Sequence, residues 1–227
     1  LATIVGTDLE MRKEWACAMI IDIFQDTVCP WCRIGKKHLL DAIRAWEGDT
    51  IQVRYRTFFL DPSIPKEGLP FREAMAALKG PQAVDQLLRH VTEAGKASGV
   101  TFHFDKVRYR PNTYASHTLL KLAPEGKAAE LVEAVFQAYF EEGRDIGNLD
   151  VLVDIGAQCG LDAEAVREAI ESDRMKDEIA ADLALARELQ ITGVPFFVID
   201  NKLALSGAHP VENFLRAFRR VAEEASS

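Results

Sequence analysis

The sequence predicts an α/β domain interrupted by a large all-helical insertion. Three observations carry that prediction. A strand–helix–strand pattern occupies residues 19–60. A block of roughly 120 residues with helical texture comes next, too long for any ordinary connection. Strand signals then resume at Val194 and lead into a final helix.

Each element has its own warrant. Met19 to Phe24 (MIIDIF) is a short, β-branched, nearly continuous apolar run, the texture of a buried strand. In the next helix, Leu39, Leu40, Ile43 and Trp46 recur at helical spacing, with Lys37 and Arg44 outside the stripe. Cys32 projects onto that stripe and is expected to be the more buried of the two nearby cysteines. Gly48 stands where a C-cap glycine belongs. Thr50 to Leu60 alternates as a strand, with Ile51, Val53 and Tyr55 on one face. A strand–helix–strand unit implies parallel pairing.

From Asp61 the stretch DPSIPKEGLP is a Pro/Gly-rich connector, and the chain from there to about Leu189 is almost all helical. Its segments 71–80, 81–99, 127–143 and 162–190 mostly end near Gly or begin near Pro or Asp. No fixed period suggests a solenoid. Val194 to Asp200 reads as a strand, Asn201 as a turn and KLALSG as its continuation; a last helix carries Pro210 in its first turn. The expected division is an extension over 1–18 (an added tail or an over-extended start), a first core part over 19–62, the insertion over 63–188 and a second core part over 189–227.

Composition narrows the class of function. A hydrophobic share of 48% with 27% charged residues is ordinary for a globular protein. The formal net charge of −8 argues against nucleic acid as the main partner. No run of 18 apolar residues exists, so no membrane-spanning helix is expected. The start of the sequence lacks the design of a secretory signal, which makes a cytoplasmic location the expectation. In a reducing compartment, closely spaced cysteines point to catalysis or metal before a structural staple. The four cysteines are Cys17, Cys29, Cys32 and Cys159, with no second close pair and with the histidines scattered. That spacing disfavours zinc, so no metal is expected.

The pair lies in Asp26 to Leu40, DTVCPWCRIGKKHLL, between a strand and a helix. Cys29 then falls at the helix N-terminus and Pro30 at the first helical position, where its missing N–H is no loss. Free N–H groups and the positive end of the helix dipole point toward Cys29, an environment known to favour thiolate over thiol. One turn later, Cys32 lies close enough to close a small disulfide ring and to resolve a mixed disulfide on Cys29. Taken alone, C-x-x-C is also compatible with an inert pair at a helix start. Pro195 adds a second feature, because it stands directly before an apolar strand. It occupies either a cis turn or a trans bond that merely ends the loop.

Together, DTVCPWCRIGKKHL, the insertion segments RPNTYASH and YFEEGRDI, and ARELQITGVPFFVIDNKLALSGA resemble the DsbA-type thioredoxin-fold oxidoreductases, and within them the FrnE-like branch. The resemblance runs from about Met19 to Val221. It implies a thioredoxin-like fold whose helical insertion caps one side of the core. Cys29 is implied as nucleophile, Cys32 as resolving cysteine, and Val194-Pro195 as a cis-proline loop facing them. The motif places Pro30 and Trp31 between the cysteines, where the broader family's type member has His in place of Trp31. The expected activity is thiol–disulfide exchange with protein or small-molecule thiols and disulfides. Trp31 and the Val194 backbone would form the docking surface for an extended substrate. No cofactor is implied beyond the redox-active disulfide, with glutathione as a small redox partner; oligomeric state is not legible. Rival readings are a kappa-type glutathione transferase or 2-hydroxychromene-2-carboxylate isomerase-like enzyme, which generally carry a serine and lack C-x-x-C, and a non-catalytic binding or chaperone module.

Other residues carry double readings. Asn112 and His117 either border the active site or serve as a helix N-cap and a satisfied histidine. Asp26 could move a proton from Cys32 or be a plain loop carboxylate. Cys159 reads as a small core hydrophobe, and Cys17 as a thiol open to adventitious oxidation. The aromatic set Phe58, Phe59, Phe102 and Phe104 reads as core, and Glu141-Glu142 as a solvated face.

Overall fold

The structure is a computed structural model and describes residues 19–225. The extension over 1–18, with Cys17, lies outside the described residues. A four-stranded mixed sheet has the order β2 (Ile51–Thr57), β1 (Met19–Gln25), β5 (Phe196–Ile199), β6 (Leu203–Ser206). β1 and β2 are parallel, with Ile21 opposite Val53, as the strand–helix–strand pattern requires. β5 lies antiparallel on the other side of β1, with Ile23 opposite Phe197, and β6 continues the hairpin. The turn between them uses left-handed Asp200 and Asn201 (φ 49° and 54°), residue types that tolerate that region. β1 is buried along nearly its whole length, which explains its unbroken apolar run.

α1 (Pro30–Ala45) and the last helix, α9 (Val211–Ala225), pack on one face of the sheet. Their core joins Ile21, Ile23, Leu39 and Phe197 to Phe214 and Phe218, with the Phe197 and Phe214 rings edge-on at 4.8 Å. Pro210 sits immediately before the first residue of α9. On the opposite face Phe24 and Val198 pack against Ala186 and Ile191. Ala186 belongs to α8 (Lys176–Glu188), a helix of the long central block. That helix is also pinned to the sheet by Asp182, which accepts from the Thr57 N–H at 2.7 Å and pairs with Arg56 at 3.1 Å.

The central block holds α2 (Phe71–Lys79), α3 (Pro81–Ala97), α4 (Tyr114–Lys121), α5 (Ala128–Phe140), α6 (Leu149–Gln158), α7 (Ala163–Glu171) and α8. Three expectations need correction. The block is not purely helical: Leu69–Pro70 (β3) and Tyr109–Arg110 (β4) form a small antiparallel pair. Segment 162–190 is two helices, broken where Asp173 turns left-handed at φ 51°. Gly48 is not a C-cap: α1 ends at Trp46, which turns extended (φ −83°, ψ 126°). Gly48 instead makes room for the Trp46 ring, since a Cβ there would lie 2.3 Å from it. The block's own core, around Phe102, Leu119, Val135, Phe136 and Phe140, also contains Cys29, Cys32 and Ile34. The cysteine pair is therefore placed where the sheet domain and the helical block share one interior.

Candidate active site

Cys29 is the N-cap of α1, with extended φ −93° and ψ 107°, and Pro30 follows in the first turn. Its sulfur accepts the Cys32 N–H at 3.3 Å, so one of the orphan donors of the helix start is spent on the thiol. The same sulfur lies 3.5 Å from the Val194 carbonyl oxygen, to which the thiol donates. Val194–Pro195 is a cis peptide bond. Segments 165 positions apart thus converge on Cys29. Gly35, one turn beyond Cys32, permits that approach: a Cβ there would meet Pro195 Cγ at 2.9 Å and Phe197 Cζ at 3.1 Å.

Cys32 is the more buried of the two, as expected, but by a narrow margin. Both are buried, Cys29 at 3% and Cys32 at 0%. What separates them is access, because Cys29 forms part of the wall of a cavity of about 640 Å³ and Cys32 does not. Burial pushes the Cys32 thiol well above its ordinary range, and the hydrogen bond and charge of Cys29 push it the same way; a backbone hydrogen bond to Asp26 only partly offsets them.

Behind the pair lies a second buried group. Asp26 accepts the Leu60 N–H on Oδ2 at 2.8 Å, while its Oδ1 faces His117 Nε2 at 3.4 Å. The contact between them falls outside hydrogen-bond geometry, and neither atom has another partner among the described residues. Ser116, next to it on α4, meets Thr27 hydroxyl to hydroxyl at 2.8 Å. Asn112 has both ends of its amide on backbone, donating to the Ile64 carbonyl (2.7 Å) and accepting the Tyr114 N–H (3.0 Å). It fastens the entry of α4, the helix that brings His117 to Asp26.

Three residues at the site carried no expectation: Arg33, Lys36 and Glu133. Arg33 and Lys36, one turn apart on α1, are buried rather than solvated (side chains 4% and 3% exposed) and point into the helical block. Arg33 donates to Glu133 at 2.6 Å and to the Thr101 carbonyl at 2.8 Å, and also pairs with Glu141. Lys36 donates to Glu133 at 2.6 Å and to the Ala129 carbonyl at 3.1 Å. Glu141, partly exposed, is thus tied to a buried arginine rather than lying on a purely solvated face, whereas its neighbour Glu142 stays exposed as expected. Burial raises the Glu133 carboxyl, but Lys36 and Arg33 outweigh it and hold the group below its usual range. Burial lowers the Lys36 ammonium, with Glu133 acting against it. Two basic residues at i and i+3 beside a buried cysteine were the available signal, but their carboxylate partners lie about a hundred residues away.

The remaining candidates fall elsewhere. Trp31 is half-buried, and its ring meets His90 of α3 at 5.7 Å. Cys159 caps the C-terminus of α6, half-buried, its thiol raised chiefly by burial. Phe102 and Phe104 stack at 5.3 Å within the block's core, and Phe59 lies edge-on to His117 at 5.4 Å.

A helix-capping cysteine, its partner one turn on and a proline loop against them occur here on a β2-β1-β5-β6 sheet. A family model described as DSBA-like thioredoxin domain matches residues 20–219. The chain belongs to this DSBA-like family. Among solved structures it is similar to a probable DsbA oxidoreductase from Streptomyces coelicolor, 32% identical over 91% of each chain with a TM-score of 0.83. A cytosolic disulfide reductase, DsbM from Pseudomonas aeruginosa, solved with GSH, is 20% identical over 90% of this chain and 99% of its own (TM-score 0.63), a likeness of fold. YwbO, an uncharacterized protein of Bacillus subtilis, is 28% identical over 87% of this chain and 94% of its own. The DsbA-type resemblance and the thioredoxin-like fold with its helical insertion are thereby borne out. Among the described residues, no helix is long and apolar enough to cross a membrane.

Proposed function

We propose that the chain is a thiol–disulfide oxidoreductase working through Cys29 and Cys32. The observation that carries this reading is Cys29 at the head of α1, on the wall of a cavity, with its sulfur held by the Cys32 N–H and the buried Cys32 one turn later. In the reducing direction, the Cys29 thiolate attacks a substrate disulfide; one S–S bond breaks, a mixed disulfide forms and one substrate thiolate leaves. Cys32, deprotonated, then attacks the Cys29 sulfur, expels the second substrate thiolate and leaves a Cys29–Cys32 disulfide, two electrons having passed to the substrate. In the oxidising direction the same steps run backward.

Because the Cys32 thiol is raised by its burial, its proton needs an acceptor before it can attack. Asp26 is suited to that role, with an oxygen that has no hydrogen-bond partner and with His117 beside it. Glutathione serves as the small thiol that returns the couple to its reduced form, two molecules leaving as the disulfide. A cytoplasmic site of action fits this scheme, and DsbM, a cytosolic reductase solved with GSH, supports it by analogy of fold.

Trapping tests the reading. Cys32→Ser should accumulate a mixed disulfide on Cys29 when given a disulfide substrate, seen as an intact-mass adduct removed by dithiothreitol. Cys29→Ser should form none. Absence of the adduct in the first variant, or full exchange activity in the second, would overturn the assignment.

A further inference from the structure

The cavity at Cys29 is walled on one side by Val28, Cys29, Pro30, Trp31 and Val194 and on the other by the helical block. α2 and α3 supply Phe71, Met75, Leu78, Leu87, Leu88 and Val91, nearly all carbon. At about 640 Å³ it falls within the usual range of small-molecule sites, roughly 300–1,000 Å³. Its polar wall groups are already engaged. Arg110 pairs with Asp61 at 3.1 Å, and the Tyr139 hydroxyl donates to the Tyr109 carbonyl at 3.0 Å, which leaves Lys79 as the remaining charged wall residue.

Two further features limit what enters. The Trp31 ring is met by His90 of α3, so the dipeptide between the cysteines is partly covered by the block rather than open to a long chain. Leu60 and Leu78, both on the wall, are among the few large apolar side chains of the described residues that stay exposed (44% and 52%), and they extend the apolar surface outward from the cavity.

Resting on the oxidoreductase reading, we infer that this cavity binds the apolar body of a low-molecular-weight organic thiol or disulfide and presents its sulfur to Cys29. Such a body, aromatic or alkyl, covers the carbon wall and is solvated poorly elsewhere. Glutathione carries two carboxylates and an ammonium, and Lys79 is the one charged wall group not already paired within the protein, too few partners for three charges against an otherwise apolar wall. Glutathione therefore acts on the couple as a recycling thiol and not as the preferred occupant. The exchange step is unchanged: with a disulfide, the Cys29 thiolate bonds to one substrate sulfur and the other half leaves as thiolate; with a thiol, its thiolate attacks Cys29 of the Cys29–Cys32 disulfide and Cys32 leaves as thiolate.

The experiment compares two dialkyl disulfides of matched leaving-group chemistry, bis(2-phenylethyl) disulfide and bis(2-hydroxyethyl) disulfide, with glutathione disulfide as a third probe. Reduced full-length protein should prefer the phenylethyl probe in kcat/KM by about tenfold or more, the order expected for burying a ring-sized apolar group. Leu87→Glu should remove most of that preference; Met75→Gln, a milder change on the same wall, should reduce it and covers the case in which the first variant does not fold. Equal rates for the two dialkyl probes, or a preference for glutathione disulfide, would overturn the cavity assignment while leaving the cysteine chemistry standing. Failure of all three probes to form an adduct on Cys29 in the Cys32→Ser background would instead overturn the oxidoreductase reading itself.

Discussion

Replacing Glu133 by Ala tests how the helical block is locked onto the helix that carries the cysteines. Glu133 receives Arg33 on Oε1 and Lys36 on Oε2, each at 2.6 Å, and both basic side chains are almost wholly buried. After truncation Arg33 keeps Glu141 and the Thr101 carbonyl, but Lys36 keeps only the Ala129 carbonyl. Removing one partner of a buried pair costs about 3–5 kcal/mol, because the other charge is left uncompensated. Glu133 is itself 34% exposed, so water screens part of the interaction and the lower end, about 3 kcal/mol, applies. In a chain of this size that corresponds to a thermal midpoint lower by about 6–12 °C. Calorimetry or circular dichroism on the reduced protein measures it. Adding Lys36→Met, which keeps the straight stem and removes the orphaned charge, should recover at least about 1 kcal/mol of the loss. A midpoint within about 2 °C of the parent, or a Lys36→Met change that deepens the loss, would show that the buried cations do not depend on Glu133.

Gly35→Ala should destabilise by about 1–3 kcal/mol and slow exchange at Cys29, since the new methyl meets the rigid Pro195 and Phe197 rings at 2.9 and 3.1 Å; unchanged urea midpoint and rate would contradict it. Stability should also depend on Glu133 in a pH-specific way. Its folded value is depressed, so its contribution is complete above the unfolded value of about 4.3 and is lost as pH falls through the folded one. The stability difference between the parent and Glu133→Gln should accordingly be flat from about pH 5 to neutrality and shrink on further acidification; a difference that grows toward low pH would show the sign to be wrong. Alkylation of the reduced protein near neutral pH should modify Cys29 well before Cys32, whose thiol is fully buried and raised; equal labelling by peptide mapping would remove the basis for their separate roles. Cys159→Ala should leave exchange within a few-fold of the parent, because that thiol sits at the end of α6 away from the cavity wall; loss of activity in a folded variant would require a third cysteine in the cycle.

Local features were legible in the chain: the unbroken apolar strand β1, the parallel partner β2, the capping position of Cys29 ahead of Pro30, and the hairpin turning at Asn201. Each arises from side-chain period or backbone chemistry within a few residues, where pattern and structure are directly linked. Where local signals were ambiguous, neighbours decided. Gly48 carried the mark of a helix cap, yet it is the Trp46 ring that requires a glycine there. Tertiary structure alone decided the rest of the site. Asp26 and His117 are ninety-one positions apart, Arg33 and Glu133 one hundred, and Cys29 and Val194 one hundred and sixty-five. No period in the chain encodes such separations. A lysine or arginine on a helix looks the same in sequence whether it meets water or a carboxylate brought in by a distant helix, and only the packing of α1 against α5 places Arg33 and Lys36 against Glu133. The burial of Cys29 has the same origin: the motif sets its place at the head of a helix, and the helical block folded over it turns an open helix end into the wall of a cavity.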